Sequence, residues 1–174
     1  MARVLVAYAT KYGSTREIAE AVGVELADAG HQVDVRPASS VEDIAPYDAV
    51  VLGSALYAAH WQRDANRFVR QHLAELQARP VWLFSSGPLD HSADREDIPL
   101  TEHVARDVHP IGARGHRTFG GRLLPDTPGL EPQVLATHPT GDFRNWAAIR
   151  AWAGEITTAL GGAAGHGHVN TQEV

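Results

Sequence analysis

Thr10-Lys11-Tyr12-Gly13-Ser14-Thr15 gathers three aliphatic hydroxyls and a glycine directly ahead of a helix start. Side-chain hydroxyls and free N-terminal amides can together bind a dianion without a full-charge partner, aided by the helix dipole. The spacing suits a phosphate, with these six residues as its binding loop; the alternative is a merely well-capped helix with Lys11 in solvent. A second stretch, Gly53-Ser54-Ala55-Leu56-Tyr57-Ala58-Ala59-His60-Trp61, combines small residues that permit close backbone approach with two aromatics. Tyr57 or Trp61 can lie against a planar ring by offset stacking, although Trp61 can equally serve to staple the next helix. In a third stretch, Ser85-Ser86-Gly87-Pro88-Leu89, small side chains leave room and backbone amides for a ring edge. His60 is the candidate proton handler, since an imidazole can pass a proton to a substrate oxygen or a ring nitrogen.

Other chemistries are absent or weakly supported. The chain has no cysteine, which excludes disulfides, thiolate nucleophiles and Cys-ligated metal clusters, so any redox chemistry comes from a bound cofactor. Hydrolase elbows, P-loops and Gly-x-Gly-x-x-Gly fingerprints do not occur. Of ten histidines, His166 and His168 have chelating spacing, but their Gly-rich surroundings offer no rigid support and no metal site is expected. His91, His103, His109 and His116 receive no role.

The elements that must position these loops alternate. Val4–Tyr8 is a short, continuous apolar run, the mark of a strand buried on both faces. Ser14 with Glu17 reads as a capping box, and Ile18, Val22 and Leu26 recur at helical spacing until Gly30. A weaker strand at 32–36 precedes a capped turn at Ser40–Asp43. Ala49–Leu52 and Val81–Phe84 are buried strands, separated by a helix over Asp64–Gln77 that Pro80 stops. After a loop over Asp90–Pro99 come a short helix at Thr101–Asp107 and a fifth strand at His116–Phe119. Four prolines between Leu123 and Thr140 predict an ordered loop without regular helix. A last helix runs from Trp146 to Leu160, capped by Asp142, and 161–174 reads as a flexible, Gly-rich tail. Alternating strands and helices imply an α/β doubly wound parallel sheet, whose ligands sit beyond the carboxyl ends of the strands.

Composition agrees with one globular domain. Of 174 residues, 44% are hydrophobic and 21% charged, so disordered and fibrous classes are excluded. A net charge of −6 disfavours bulk nucleic-acid binding. No apolar run approaches the about 18 residues of a membrane span, and the start lacks a secretory core, which predicts a cytoplasmic protein with at most peripheral membrane contact.

The run Val4–Tyr8 followed by Thr10–Thr15 resembles the phosphate-loop signature of the flavodoxin superfamily. The second loop, continuing through Phe68-Val69-Arg70-Gln71-His72, is similar to the menaquinone-dependent protoporphyrinogen dehydrogenase branch. That branch's Arg-Tyr-Gly-His-aromatic run is matched by Tyr57-Ala58-Ala59-His60-Trp61, with the Arg and the following Tyr replaced. Phe119-Gly120-Gly121 and Asp142-Phe143-Arg144-Asn145-Trp146 extend the likeness to Leu160. The resemblance implies a flavodoxin-like, five-stranded sheet in the order 2-1-3-4-5 and an FMN-binding domain over residues 1–160. Its first loop would hold the FMN phosphate, and Ser54, Ala55, Leu56 and Tyr57 would face the flavin ring beside Ser85, Ser86, Gly87 and Pro88. It also implies an FMN-dependent oxidoreductase working between a reduced organic substrate and a quinone-like acceptor, with the stretch from Leu89 to Gly115 shaping substrate entry. A flavodoxin-type electron carrier docking on redox partner proteins is the second reading, and a flavin-free module is disfavoured by the intact first loop.

Overall fold

A computed structural model describes residues 1–163. Five strands, β1 (Arg3–Ala9), β2 (Gln32–Pro37), β3 (Ala49–Tyr57), β5 (Val81–Ser86) and β6 (Gly115–Phe119), pair in parallel in the order β2-β1-β3-β5-β6. Counted along the chain, that is the expected order 2-1-3-4-5. Register places Val4 beside Val33 and Ala49, Val50 beside Val81, and Phe84 beside Arg117. The continuous apolar runs are explained by burial on both faces, because successive side chains point to opposite sides. Val4, Val6, Val51, Trp82 and Phe84 enter one core; Leu5, Ala7, Val50, Leu52 and Leu83 enter the other.

Helices α1 (Ser14–Asp28) and α7 (Trp146–Ala163) cover the first core with Ile18, Val22, Leu26, Ile149, Trp152 and Ile156. The second is covered by α2 (Arg63–Gln71), α3 (Leu73–Gln77) and α5 (Glu102–Val108) through Phe68, Val69, Leu76, Val104 and Val108. A two-residue strand, β4 (His60–Trp61), folds back antiparallel on β3. The remaining elements are α4 (Ser92–Arg95), α6 (Pro132–Thr137) and a small ribbon of β7 (Arg122–Leu123) with β8 (Gly141–Asp142).

Several local expectations are corrected. The helix expected over Asp64–Gln77 is divided at His72, yet the His72 N–H still donates to the Phe68 carbonyl and the Leu76 N–H to the His72 carbonyl, so the two pieces run on. The turn expected at Ser40–Asp43 lies earlier, as a 3-10 turn at Ala38–Ser40 whose Ser40 hydroxyl donates to the Pro37 carbonyl. The proline-rich stretch does hold a helix, α6, because Pro132 sits in its first turn, where a missing N–H costs nothing. Asp142 does not cap α7; the Ala148 N–H donates to Asn145 Oδ1 instead. That helix passes Leu160 into Ala163, and the rest of the expected tail, with His166 and His168, lies outside the described residues. Gly30 ends α1 as expected, with the Gly30 and His31 N–H groups returning to the Ala27 and Leu26 carbonyls.

Candidate functional site

The loop after β1 turns on Gly13, whose φ of 88° is left-handed and favours glycine, while its N–H donates to Thr10 Oγ1 at 3.0 Å. Gly13, and not Ser14, is the cap of α1, so the expected capping box does not form. The consequence is chemical. Ser14 Oγ, Thr15 Oγ1 and the Tyr12 hydroxyl are buried without a hydrogen-bond partner. Three orphaned hydroxyls beside the free N–H groups of a helix start match the acceptors of a phosphate monoester. Leaving such groups unpaired is unfavourable, so an anion that accepts from them would be stabilised at this corner.

Glu17, freed from capping, lies between two guanidinium groups. Arg144 Nη1 donates to Glu17 Oε2 and to the Ser14 carbonyl, while Arg122 Nη1 stands 3.0 Å from the same Glu17 oxygen. Arg144 also grips both carboxylate oxygens of Asp142, through Nε at 2.8 Å and Nη2 at 2.7 Å, and lies over the Trp146 ring. Burial alone lowers the Arg144 pKa, but its two carboxylate partners outweigh that and the net direction is up. The same fork holds Asp142 below the usual carboxylate range.

From this corner a cleft of about 310 Å³ opens along the carboxyl ends of the strands. Of the residues expected from sequence, Thr10, Lys11, Tyr12, Ser14 and Thr15 form one end, and Ala55, Leu56, Tyr57, Ser86 and Gly87 the middle. Tyr57 and Tyr12 meet edge-on at 6.3 Å, and the Lys11 ammonium sits 5.1 Å and 5.2 Å from the two ring centroids. Lys11 stays exposed while its ammonium lies over the aromatic pair. Burial, then the neighbouring Tyr12, pushes the Tyr57 phenol up to about 12, so it stays neutral at physiological pH.

Other expected residues lie away from the wall. Ser54 is fully buried; its hydroxyl donates to the Ala55 carbonyl and accepts the Gln62 N–H. Ser85 accepts the Trp61 indole N–H at 2.9 Å and meets His116 Nε2 at 3.1 Å. Trp61 therefore belongs to the packing, as does Gly53, where an added Cβ would stand 1.9 Å from the Phe84 ring. Pro88 offers its carbonyl to the Gly121 N–H and stays behind the wall. His60 is exposed on the far side of the Ala58-Ala59 turn, stacked on His103 at 4.1 Å, and is not part of the cleft lining. Both turn residues hold positive φ, 47° and 65°, unusual for alanine.

Sequence reasoning missed the third side. Gly121, Arg122, Leu123, Val134 and His138 complete the wall, whereas the 89–115 stretch expected to shape entry contributes only Leu89. Among the described residues, the charged ones of the wall are Lys11 and Arg122, with His138 as a further titratable group, and no carboxylate lines it. Among the described residues, no group of three or more His, Asp or Glu could hold a metal ion, and no helix is long and apolar enough to cross a membrane.

The "Flavodoxin domain" family matches residues 5–128. The chain belongs to that family. Protoporphyrinogen IX dehydrogenase [quinone] of Escherichia coli K12 is 29% identical over 106 residues, which span 60% of this chain and 58% of that protein's length. A flavodoxin of Nitratidesulfovibrio vulgaris is 48% identical over 42 residues, 24% of this chain and 28% of the relative. In fold, an archaeal flavodoxin superposes with a TM-score of 0.61 at 14% identity, covering 91% of this chain and 99% of its own. Oxidised flavodoxin 2 from Bacillus cereus gives 0.60 at 20% identity, again over 91% and 99%. FMN is the cofactor that this flavodoxin-domain protein binds, and the orphaned hydroxyls at residues 12, 14 and 15 fit its phosphate.

Proposed function

We propose that this flavodoxin-domain protein is an FMN-dependent oxidoreductase that moves electrons from a reduced organic substrate to a quinone-like acceptor. The observation that carries the reading is the charge of the cleft wall: among the described residues Lys11 and Arg122 line it and no carboxylate does, although the chain as a whole carries −6. A carrier that docks on cationic partners needs its acidic groups around the cofactor, where they steer encounter. The nearest carboxylate, Glu17, stands behind the wall and is held by Arg122 and Arg144, while Leu123 and Val134 add apolar wall suited to a small molecule. The likeness to the E. coli dehydrogenase supports the same class.

Bound FMN would supply the redox chemistry, while the protein binds, orients and shields it. Thr10, Ser14 and Thr15 would hold the phosphate, Tyr57 would offer its ring face and Ser86 and Gly87 the opposite edge of the cleft. His60 remains the candidate proton handler only if the His60–His103 stack opens, since it stands outside the wall in this conformation. The reading is tested by incubating the FMN-loaded protein anaerobically with protoporphyrinogen IX and a soluble naphthoquinone. Steady quinone reduction that shows little dependence on salt supports it. No turnover, together with salt-sensitive one-electron delivery to a protein acceptor, would favour the carrier, the reading to which the short flavodoxin match lends weight.

A further inference from the structure

The geometry points to Arg122 as a cofactor-anchoring residue that leaves Glu17 to take the FMN phosphate. The inference rests on the flavin reading of this cleft and adds a full-charge partner to a phosphate loop that contains none directed at it, since Lys11 is drawn over Tyr12 and Tyr57.

Three observations converge. First, Arg122 lines the same cleft as Ser14 and Thr15, and its side chain remains 23% exposed. The two hydroxyls that share this cleft end are at least nine-tenths buried and have no protein partner, so they are donors suited to an anion. Second, Glu17 does not depend on Arg122. Arg144, only 4% exposed and locked by Asp142, the Ser14 carbonyl and the Trp146 ring, stays with Glu17 when Arg122 moves. Third, the backbone under Arg122 is fixed from both sides. It pairs with Asp142 in the β7–β8 ribbon, and the preceding Gly121 donates its N–H to the Pro88 carbonyl and accepts the Phe143 N–H. A guanidinium on a rigid base with one exchangeable partner is suited to bidentate contact with phosphate oxygens. The partial charge of a helix start leaves a phosphate dianion incompletely balanced, and Arg122 is the wall cation placed to complete the balance.

The test is titration of the apoprotein with FMN and with riboflavin, read by flavin fluorescence, for the natural protein, Arg122→Gln and Arg122→Lys in phosphate-free buffer at two salt concentrations. In Arg122→Gln the FMN Kd should rise about tenfold or more, the worth of one charge-assisted contact. Riboflavin binding should be unchanged and the salt dependence of FMN binding should flatten. Arg122→Lys, which keeps the cation, should retain most of the preference for FMN; it carries the test if the glutamine variant fails to fold by circular dichroism. Equal weakening of FMN and riboflavin, or an unchanged FMN Kd, overturns the assignment. Inorganic phosphate separates a second source: if it competes with FMN through Arg122 while the FMN Kd in phosphate-free buffer is untouched by the mutation, Arg122 serves free phosphate and the inference falls. A natural protein that binds neither flavin overturns the flavin reading itself, a result distinct from loss of Arg122 alone.

Discussion

At residue scale, the corner proposed to take the FMN phosphate is built from hydroxyls that the protein itself leaves unpaired. Ser14 Oγ and Thr15 Oγ1 have no protein partner, so replacing both by alanine removes no internal hydrogen bond. Folding stability of the apoprotein should therefore hold or rise, while FMN affinity falls by about 1 kcal/mol or more per hydroxyl. Thermal melts of the apoprotein beside flavin titrations check both halves; an apoprotein destabilised by more than the affinity loss would show that the hydroxyls serve the fold. The gathering of hydroxyls at the start of α1 was legible because a Gly-Ser-Thr run before an amphipathic helix is a local pattern. The roles of Ser54 and Ser85 were not, since a hydroxyl in a small-residue loop looks the same whether it faces a cleft or a buried indole. Only the tertiary placement of Trp61 and His116 separates the two cases.

At the scale of elements, neighbouring strands set how closely side chains approach. Gly53 on β3 lies against the Phe84 ring on β5, so Gly53→Ala should destabilise by about 1–3 kcal/mol through overpacking. Phe84→Leu introduced together with it should cost less than the sum of the single changes, measured by urea unfolding, because the smaller side chain yields the space. Strands and long helices were readable from periodicity. The break at His72 and helix α6 were not, the first because its interruption is a single residue and the second because proline content masks a helix that begins on proline. The third wall of the cleft was hidden for the same reason.

For the whole molecule, pH enters through His116. Burial holds its pKa down, at about 4 against an ordinary 6.5, so the unfolded chain takes up the proton first as pH falls. Stability is complete above about pH 6.5 and is lost progressively toward pH 4, where the slope ends. Ser85, which accepts from Trp61, can donate its own proton to Nε2 only while the imidazole is neutral. The Asp142–Arg144 pair, with Asp142 exposed, works in a lower window, because the depressed Asp142 carboxyl loses its contribution only below its ordinary 3.8. His116→Asn should flatten the dependence of Tm on pH between 6.5 and 4 while leaving the steeper loss at lower pH; an unaltered curve would assign the titration elsewhere.

The tie between Arg144 and the start of α1 also bears on the order in which the chain is made. Arg144 and Ser14 are separated by 130 positions, and Trp152 and Ile156 of the same late segment close the core over β1. Synthesis proceeds from the N-terminus at roughly 5–20 residues per second. The loop after β1 thus leaves the ribosome many seconds before the guanidinium that steadies the start of α1. A nascent chain that has emerged only through β6 carries every strand of the parallel sheet, but its first helix has an uncovered flank and its cofactor corner lacks a wall. On this geometry the corner at the start of α1 is closed only once the segment carrying Arg144, Trp152 and Ile156 has emerged.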